Sequence, residues 1–270
     1  MNAMLTLAQL SPEELQSEIT HVWSAGQSVI LDLSLFGMDI SVTKAVLFLW
    51  IGAALTFLLM FVGGRLLKDR PGAYQVIVEE IYGFGRNNMS GLIGDKGKKW
   101  FPFTLSIFVF LLVLNLIGLV PDSFPVTSSI SFTLTLALLV FIIVQIEGIR
   151  YNGVGSYFAA FVPPGLPLKP IFVPFMFVIE TISELSKPLT LAMRLYANIL
   201  AGHLLIFIFL SFILYAGGTT SAIGIAMPLF SVPMGIVLYM FEIFVAILQA
   251  YIFAILTQVY IELAIYRQEH

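Results

Sequence analysis

The chain has 270 residues, 59% of them hydrophobic and 11% charged, with a mean hydropathy of +0.98, a composition that excludes a soluble globular domain and identifies an integral membrane protein. It has no cysteine, which excludes disulfides, thiolate metal sites and thiol nucleophiles; its histidines, His21, His203 and His270, are too scattered for a metal cluster, and no cofactor is expected. The formal net charge of −3 carries no partner signal, and the basic residues form no patch with interleaved aromatics, so nucleic acid is excluded as a partner.

Residues 1–40 contain no Lys or Arg but do contain Glu13, Glu14, Glu18, Asp32 and Asp39. They lack the basic start of a signal peptide. Ser11-Pro12-Glu13-Glu14 reads as a helix start, capped by Ser11, giving a short helix to about Ser24 in an extracytoplasmic arm of residues 1–40. The membrane domain is then 41–270. A first uncharged span of about 45–64 matches a hydrocarbon core of about 30 Å. The charge-rich stretch from Arg65 to Lys99 follows, and within it Ala73 to Asn88 reads as an amphipathic helix with Val76, Ile77, Ile81 and Phe84 at helical spacing.

Two more spans are expected at about 101–120 and 126–146, separated by a tight turn at Pro121 to Pro125. Asn115 is the strongly polar side chain of the second span and suits a helix-to-helix hydrogen bond. Glu147 to Pro170, broken by prolines, reads as a loop. Two long segments close the chain, about 171–215 and 221–267, each about 65 to 70 Å as continuous helix and roughly twice a bilayer core, so they must tilt steeply, lie partly in plane, or break. Lys and Arg number seven in 63–99, two in 147–170, one at the C-terminal end and none in the other two connections. That alternation puts the N-terminus outside and the C-terminus in the cytoplasm after five crossings. The fold class is an all-α membrane protein with about five crossing helices, the last two long and strongly tilted, plus an interfacial amphipathic helix.

Arg194 is the centre of the functional reading. A guanidinium stays protonated and costs roughly 2.5 to 3.5 kcal/mol to insert in hydrocarbon, so it marks function and needs a carboxylate partner on this chain or another. At about 100° per residue, Glu180, Glu184, Lys187, Arg194 and Asn198 share a stripe about 80° wide, while His203 lies about 180° from Arg194. On the last helix Glu242, Gln249 and Tyr260 share nearly one face. The structural reading of Arg194 is a static pair with Glu180 or Glu242; that of Glu242 and His203 is a pair that only joins two helices. Lys187 reads most simply as a snorkelling residue, Gln249 as a helix-to-helix hydrogen bond and Glu262 as a solvated interfacial acid. Residue physics alone leaves an ion-coupled secondary transporter as the alternative, although no internal repeat is visible. An intramembrane enzyme lacks its motifs, with no Gly-x-Ser-x-Gly, His-Glu-x-x-His or Walker loop.

The run from Ser186-Lys-Pro-Leu-Thr-Leu-Ala-Met-Arg194 through Asn198 to His203, with Leu248-Gln249 to Tyr260 downstream, resembles subunit a of the F-type ATP synthase over most of the chain from about residue 40. The resemblance implies that Arg194 faces the carboxylates of a rotating ring of c subunits, that two aqueous half-channels flank it, and that a b-subunit peripheral stalk, membrane lipid and protons are the other partners. It implies polar neighbours of the arginine in Asn198 and Gln249, an outer half-channel with His203 and Glu242, and an inner one with Glu180. Tyr260 and Glu184 join the expected proton path by their positions; the resemblance assigns Glu184 no role. Some members carry a glutamate where His203 stands and a histidine where Glu242 stands, and both versions keep one acid and one imidazole. The implied location is the bacterial inner membrane, with the mitochondrial inner membrane as the alternative.

Overall fold

The computed structural model describes residues 29–31, 34–35, 38–39, 41–65, 72–89, 97–120, 123–162, 169–216 and 222–267. The expected helix at 11–24 lies outside them. Two short antiparallel ribbons, absent from the sequence reading, precede the membrane helices: β1 (Val29–Leu31) pairs with β4 (Val42–Thr43), and β2 (Ser34–Leu35) with β3 (Met38–Asp39). Seven α-helices follow among the described residues: α1 (Lys44–Arg65), α2 (Ala73–Met89), α3 (Phe101–Gly118), α4 (Ile130–Asn152), α5 (Val154–Ala159), α6 (Lys169–Ala216) and α7 (Ala222–Ile265). Five of them, α1, α3, α4, α6 and α7, are long and apolar enough to cross a membrane.

The core lies between α3, α4, α6 and α7, where Leu111, Ala137, Leu195, Phe253 and Ala254 are buried. Helices in lipid gain no hydrophobic drive from meeting one another, so close packing must hold them. The buried face of α7 accordingly carries Ala246, Ala250 and Ala254 at helical spacing, small enough for neighbouring backbones to approach. Helix α1 sits at the edge: Gly52 admits Leu114, whose side chain would lie 2.4 Å from a Cβ there, while Trp50, Phe57 and Leu58 face outward as lipid-facing residues do. The amphipathic helix α2 leaves Val76, Ile77 and Phe84 exposed but anchors through Phe84, which packs against Phe108 and Tyr251 at centroid distances of 5.8 and 5.3 Å.

Two expectations are corrected. The third span begins at Ile130, after a 3-10 turn at Val126–Ser128, and runs on to Asn152, past its expected end at 146. Residues 147–159 are accordingly mostly helix rather than loop: Gly153, at φ 78, breaks the helix and starts α5, which gives way to a turn at 160–162, and 163–168 lie outside the described residues. Of the three options for the long segments, a break is excluded, since α6 runs 48 residues through Pro174 and Pro188, and α7 runs 44 through Pro228 and Pro233. Both are about 70 Å long. Each must therefore lean strongly or extend beyond the hydrocarbon layer.

Candidate functional site

The polar stripe of α6 changes surroundings along its length. Glu184 is buried, Lys187 half-buried, and Arg194 and Asn198 exposed. The exposed positions recur slightly less often than every 3.6 residues (Leu185, Leu189, Met193, Ala197, Ala201, Leu204), so the outward face rotates slowly around the helix and reaches the stripe at Arg194. Its neighbours on that face are Leu189, Thr190, Met193, Ala197 and Asn198, none of them charged. Among the described residues no carboxylate lies within ion-pair distance of Arg194; Glu180 and Glu184 pair with Arg267, and Glu242 lies buried beside His203. A static pair of Arg194 with Glu180 or Glu242 is thereby ruled out in this fold.

Toward the C-terminal end of α6, His203 Nε2 lies 3.7 Å from Glu242 Oε1, beyond hydrogen-bond length. Neither oxygen of Glu242, whose side chain is 3% exposed, has a hydrogen-bond donor among the described residues. Gly202 makes room for it: a Cβ there would stand 2.6 Å from Glu242 Oε1. Burying an acid without a donor works against stability, so the position is not explained by helix association.

Level with Arg194, Asn198 Nδ2 donates to Gln249 Oε1 at 2.8 Å across α6 and α7. Asn115 Nδ2 donates to the Ala246 carbonyl at 3.0 Å, and Thr104 Oγ1 to Gln258 Oε1 at 2.9 Å, so both roles read for Asn115 and Gln249 as interhelical bonds hold. Tyr260 lies about three turns beyond Gln249 along α7, its ring 5.6 Å from Lys187 Nζ.

The N-terminal half of α6 meets the end of α7. Arg267 donates from Nη1 to Glu184 Oε1 at 2.7 Å and from Nη2 to Glu180 Oε1, and Lys187 Nζ reaches the same Glu184 oxygen at 2.7 Å. Lys187 is therefore ion-paired rather than simply snorkelling. Glu262 is part-buried with one carboxylate oxygen out of solvent, not a solvated acid. A small cavity beside the cluster is lined by Glu184, Lys187 and Tyr260 on one side and by Val140, Val144 and Leu191 on the other.

Sequence reasoning missed Arg267 and its support. The guanidinium lies over Phe161 (Cζ to ring centroid 4.1 Å) and beside Tyr157 (5.2 Å). Tyr157 in turn donates to Gln145 Oε1 at 2.8 Å. Burial pushes the Tyr157 hydroxyl above the usual phenol range, with the charge of Glu184 adding to the effect and Arg267 opposing it. The available signal was the aromatic group Tyr157, Phe158 and Phe161 shortly after Gly153 and Gly155. A second cluster missed from sequence lies where the chain enters α3: buried Glu147 accepts from Lys99 Nζ at 2.6 Å and Trp100 Nε1 at 3.2 Å.

The family model described as ATP synthase A chain matches residues 46–262. The chain is 55% identical to the ATP synthase subunit a of Rubrobacter xylanophilus, over 97% of this chain and 99% of that one. It is 40% identical to the subunit a of Nitrobacter winogradskyi, covering 85% and 91% of the two chains, and 37% identical to that of Rhodopseudomonas palustris, covering 93% and 96%. A family match across most of the chain, joined to five membrane-spanning helices, places this multi-pass membrane protein in the ATP synthase subunit a family.

Proposed function

We propose that this chain is the stator proton channel of a bacterial inner-membrane ATP synthase, with its N-terminus outside and C-terminus in the cytoplasm, held beside a c-subunit rotor ring by a b-subunit peripheral stalk. One observation carries the reading: Arg194 stands on an exposed face with no other charge while Glu180 and Glu184 are paired with Arg267 and no carboxylate among the described residues lies within ion-pair distance of it. A permanent cation so placed calls for an acid supplied by another chain. A secondary transporter would have no reason to hold its central charge outward.

The chemistry follows from the charges. A ring carboxylate arriving opposite Arg194 is favoured in its ionised form and gives up its proton toward Glu180 on the cytoplasmic side. It leaves only after reprotonation from the His203 and Glu242 side, where an acid and an imidazole stand together. Asn198 and Gln249 hold α6 to α7 beside the arginine, and Tyr260 borders the cytoplasmic branch. Arg194 cannot deprotonate, so it blocks a direct leak between the two half-channels. Each proton crossing 100 mV releases about 2.3 kcal/mol, so several per turn are needed for ATP formation elsewhere in the complex.

The chain lacks cysteine, which gives a clean background for cross-linking. A cysteine at exposed Ala197, paired with one on the outer helix of the ring subunit, is expected to form an oxidative cross-link in membranes. Absence of cross-links from Ala197→Cys and Met193→Cys, with reaction instead from the α1 face at Trp50→Cys, would overturn the orientation.

A further inference from the structure

The cluster joining α6 to the end of α7 is balanced in charge, with Glu180 and Glu184 set against Lys187 and Arg267. Glu184 Oε1 receives both cations at 2.7 Å, whereas Glu180, its side chain 38% exposed, receives Arg267 alone. Arg267 is not a loose terminal group. Its side chain is 12% exposed, stacked on Phe161 and set beside Tyr157. Tyr157 is held by Gln145 and by the bare backbone of Gly148, where a Cβ would come within 2.4 Å of its ring. Three elements, α4, α5 and α7, thus fix one guanidinium against two acids of a fourth.

We infer that Arg267 is the positioning residue of the cytoplasmic channel opening, locking buried Glu184 as a fixed counter-ion and holding Glu180, the more exposed of its two carboxylate partners, as the acid that exchanges protons with solvent. The inference rests on the channel reading above and goes beyond it, since neither Arg267 nor Glu184 has a role there. Without Arg267 the cluster would hold two carboxylates against one cation, and a carboxylate relieved of a neighbouring cation keeps its proton to higher pH. The titratable groups facing it are Glu180, Glu184 and Lys187 of α6, Tyr157 of α5 and Tyr260 of α7; the side contributed by α4 is Gln145, Val140 and Val144.

The test uses assembled complexes in inverted membrane vesicles, with ATP-driven proton pumping measured against pH and divided by ATP hydrolysis at each pH. In this direction protons enter at the cluster, so tighter holding moves the alkaline limb upward. R267M is expected to shift that limb by about one pH unit to higher pH, R267K to leave it in place, and R267M/E184Q, which restores the charge balance of the cluster with one carboxylate and one cation, to return it. Should R267M fail to assemble, R267Q is read in the same way. An unmoved limb in the assembled neutral variant overturns the proposal, as does failure of E184Q to reverse the shift. R194A is run alongside: coupled pumping that survives it overturns the channel reading itself, whereas its loss together with an unmoved R267M limb overturns only the role of Arg267.

Discussion

Glu242 on α7 reaches His203 on α6 only because residue 202 has no side chain: Gly202 leaves the space into which the carboxylate turns, 3.7 Å from the imidazole Nε2. The acid, the imidazole and the gap between them come from two helices and one missing Cβ. A G202A variant tests the arrangement. The methyl group would stand 2.6 Å from Oε1, and a flexible carboxylate yields more easily than a helix, so the complex should assemble with Glu242 displaced. Proton pumping is expected to fall severalfold while ATP hydrolysis by the detached catalytic portion is unchanged; unaltered pumping would show that the contact is incidental.

The bond between Asn198 and Gln249 links the helices beside Arg194 and should be modest in energy. Interhelical side-chain bonds in membranes average about 0.6 kcal/mol and reach about 1.7. A double-mutant cycle with N198A and Q249A, read as thermal stability of the purified complex, should give a coupling in that range. Coupling indistinguishable from zero would mean the two side chains are held by other contacts.

Around Glu147 two cations should count unequally. Lys99 bonds the buried carboxylate at 2.6 Å, whereas Arg150, its side chain 72% exposed, stands 3.4 Å away. Removing Lys99 leaves a buried acid short of a charged donor, so K99M should cost about 1.5 to 3 kcal/mol. R150M should cost no more than about 1 kcal/mol, as exposed pairs do. Melting of the two variants side by side decides this, and equal losses would contradict it.

Gly148 carries a steric prediction. A Cβ there would meet the Tyr157 ring at 2.4 Å, and ring and helix are both packed, so G148A should cost about 1 to 3 kcal/mol through overpacking. Limited proteolysis between α4 and α6 should report loosening of α5. Wild-type resistance would mean that Tyr157 moves aside freely.

The first three spans were legible because each is an uncharged run of bilayer length, and Arg194 was legible because it is the arginine set well inside an apolar span. Helical periodicity also placed Glu242, Gln249 and Tyr260 on one face. Periodicity says nothing, however, about which helix that face meets. Hence Arg267, near the end of the chain, gave no sign that it closes on Glu180 and Glu184, more than 80 positions earlier. Proline-rich sequence after Pro163 made all of 147–170 read as loop, hiding α5 and its aromatic support for that arginine. The ribbons before α1 were missed because strands of two or three residues are too short for an alternating pattern to register.

The central claim is that Arg194 couples ion flow to rotation, and the direct measurement is ATP synthesis together with ATP-driven proton pumping in membranes carrying R194A, with assembly of the complex verified. Both coupled activities should vanish in an assembled complex. Coupled transport at near wild-type rate would contradict the account and reduce Arg194 to a structural charge.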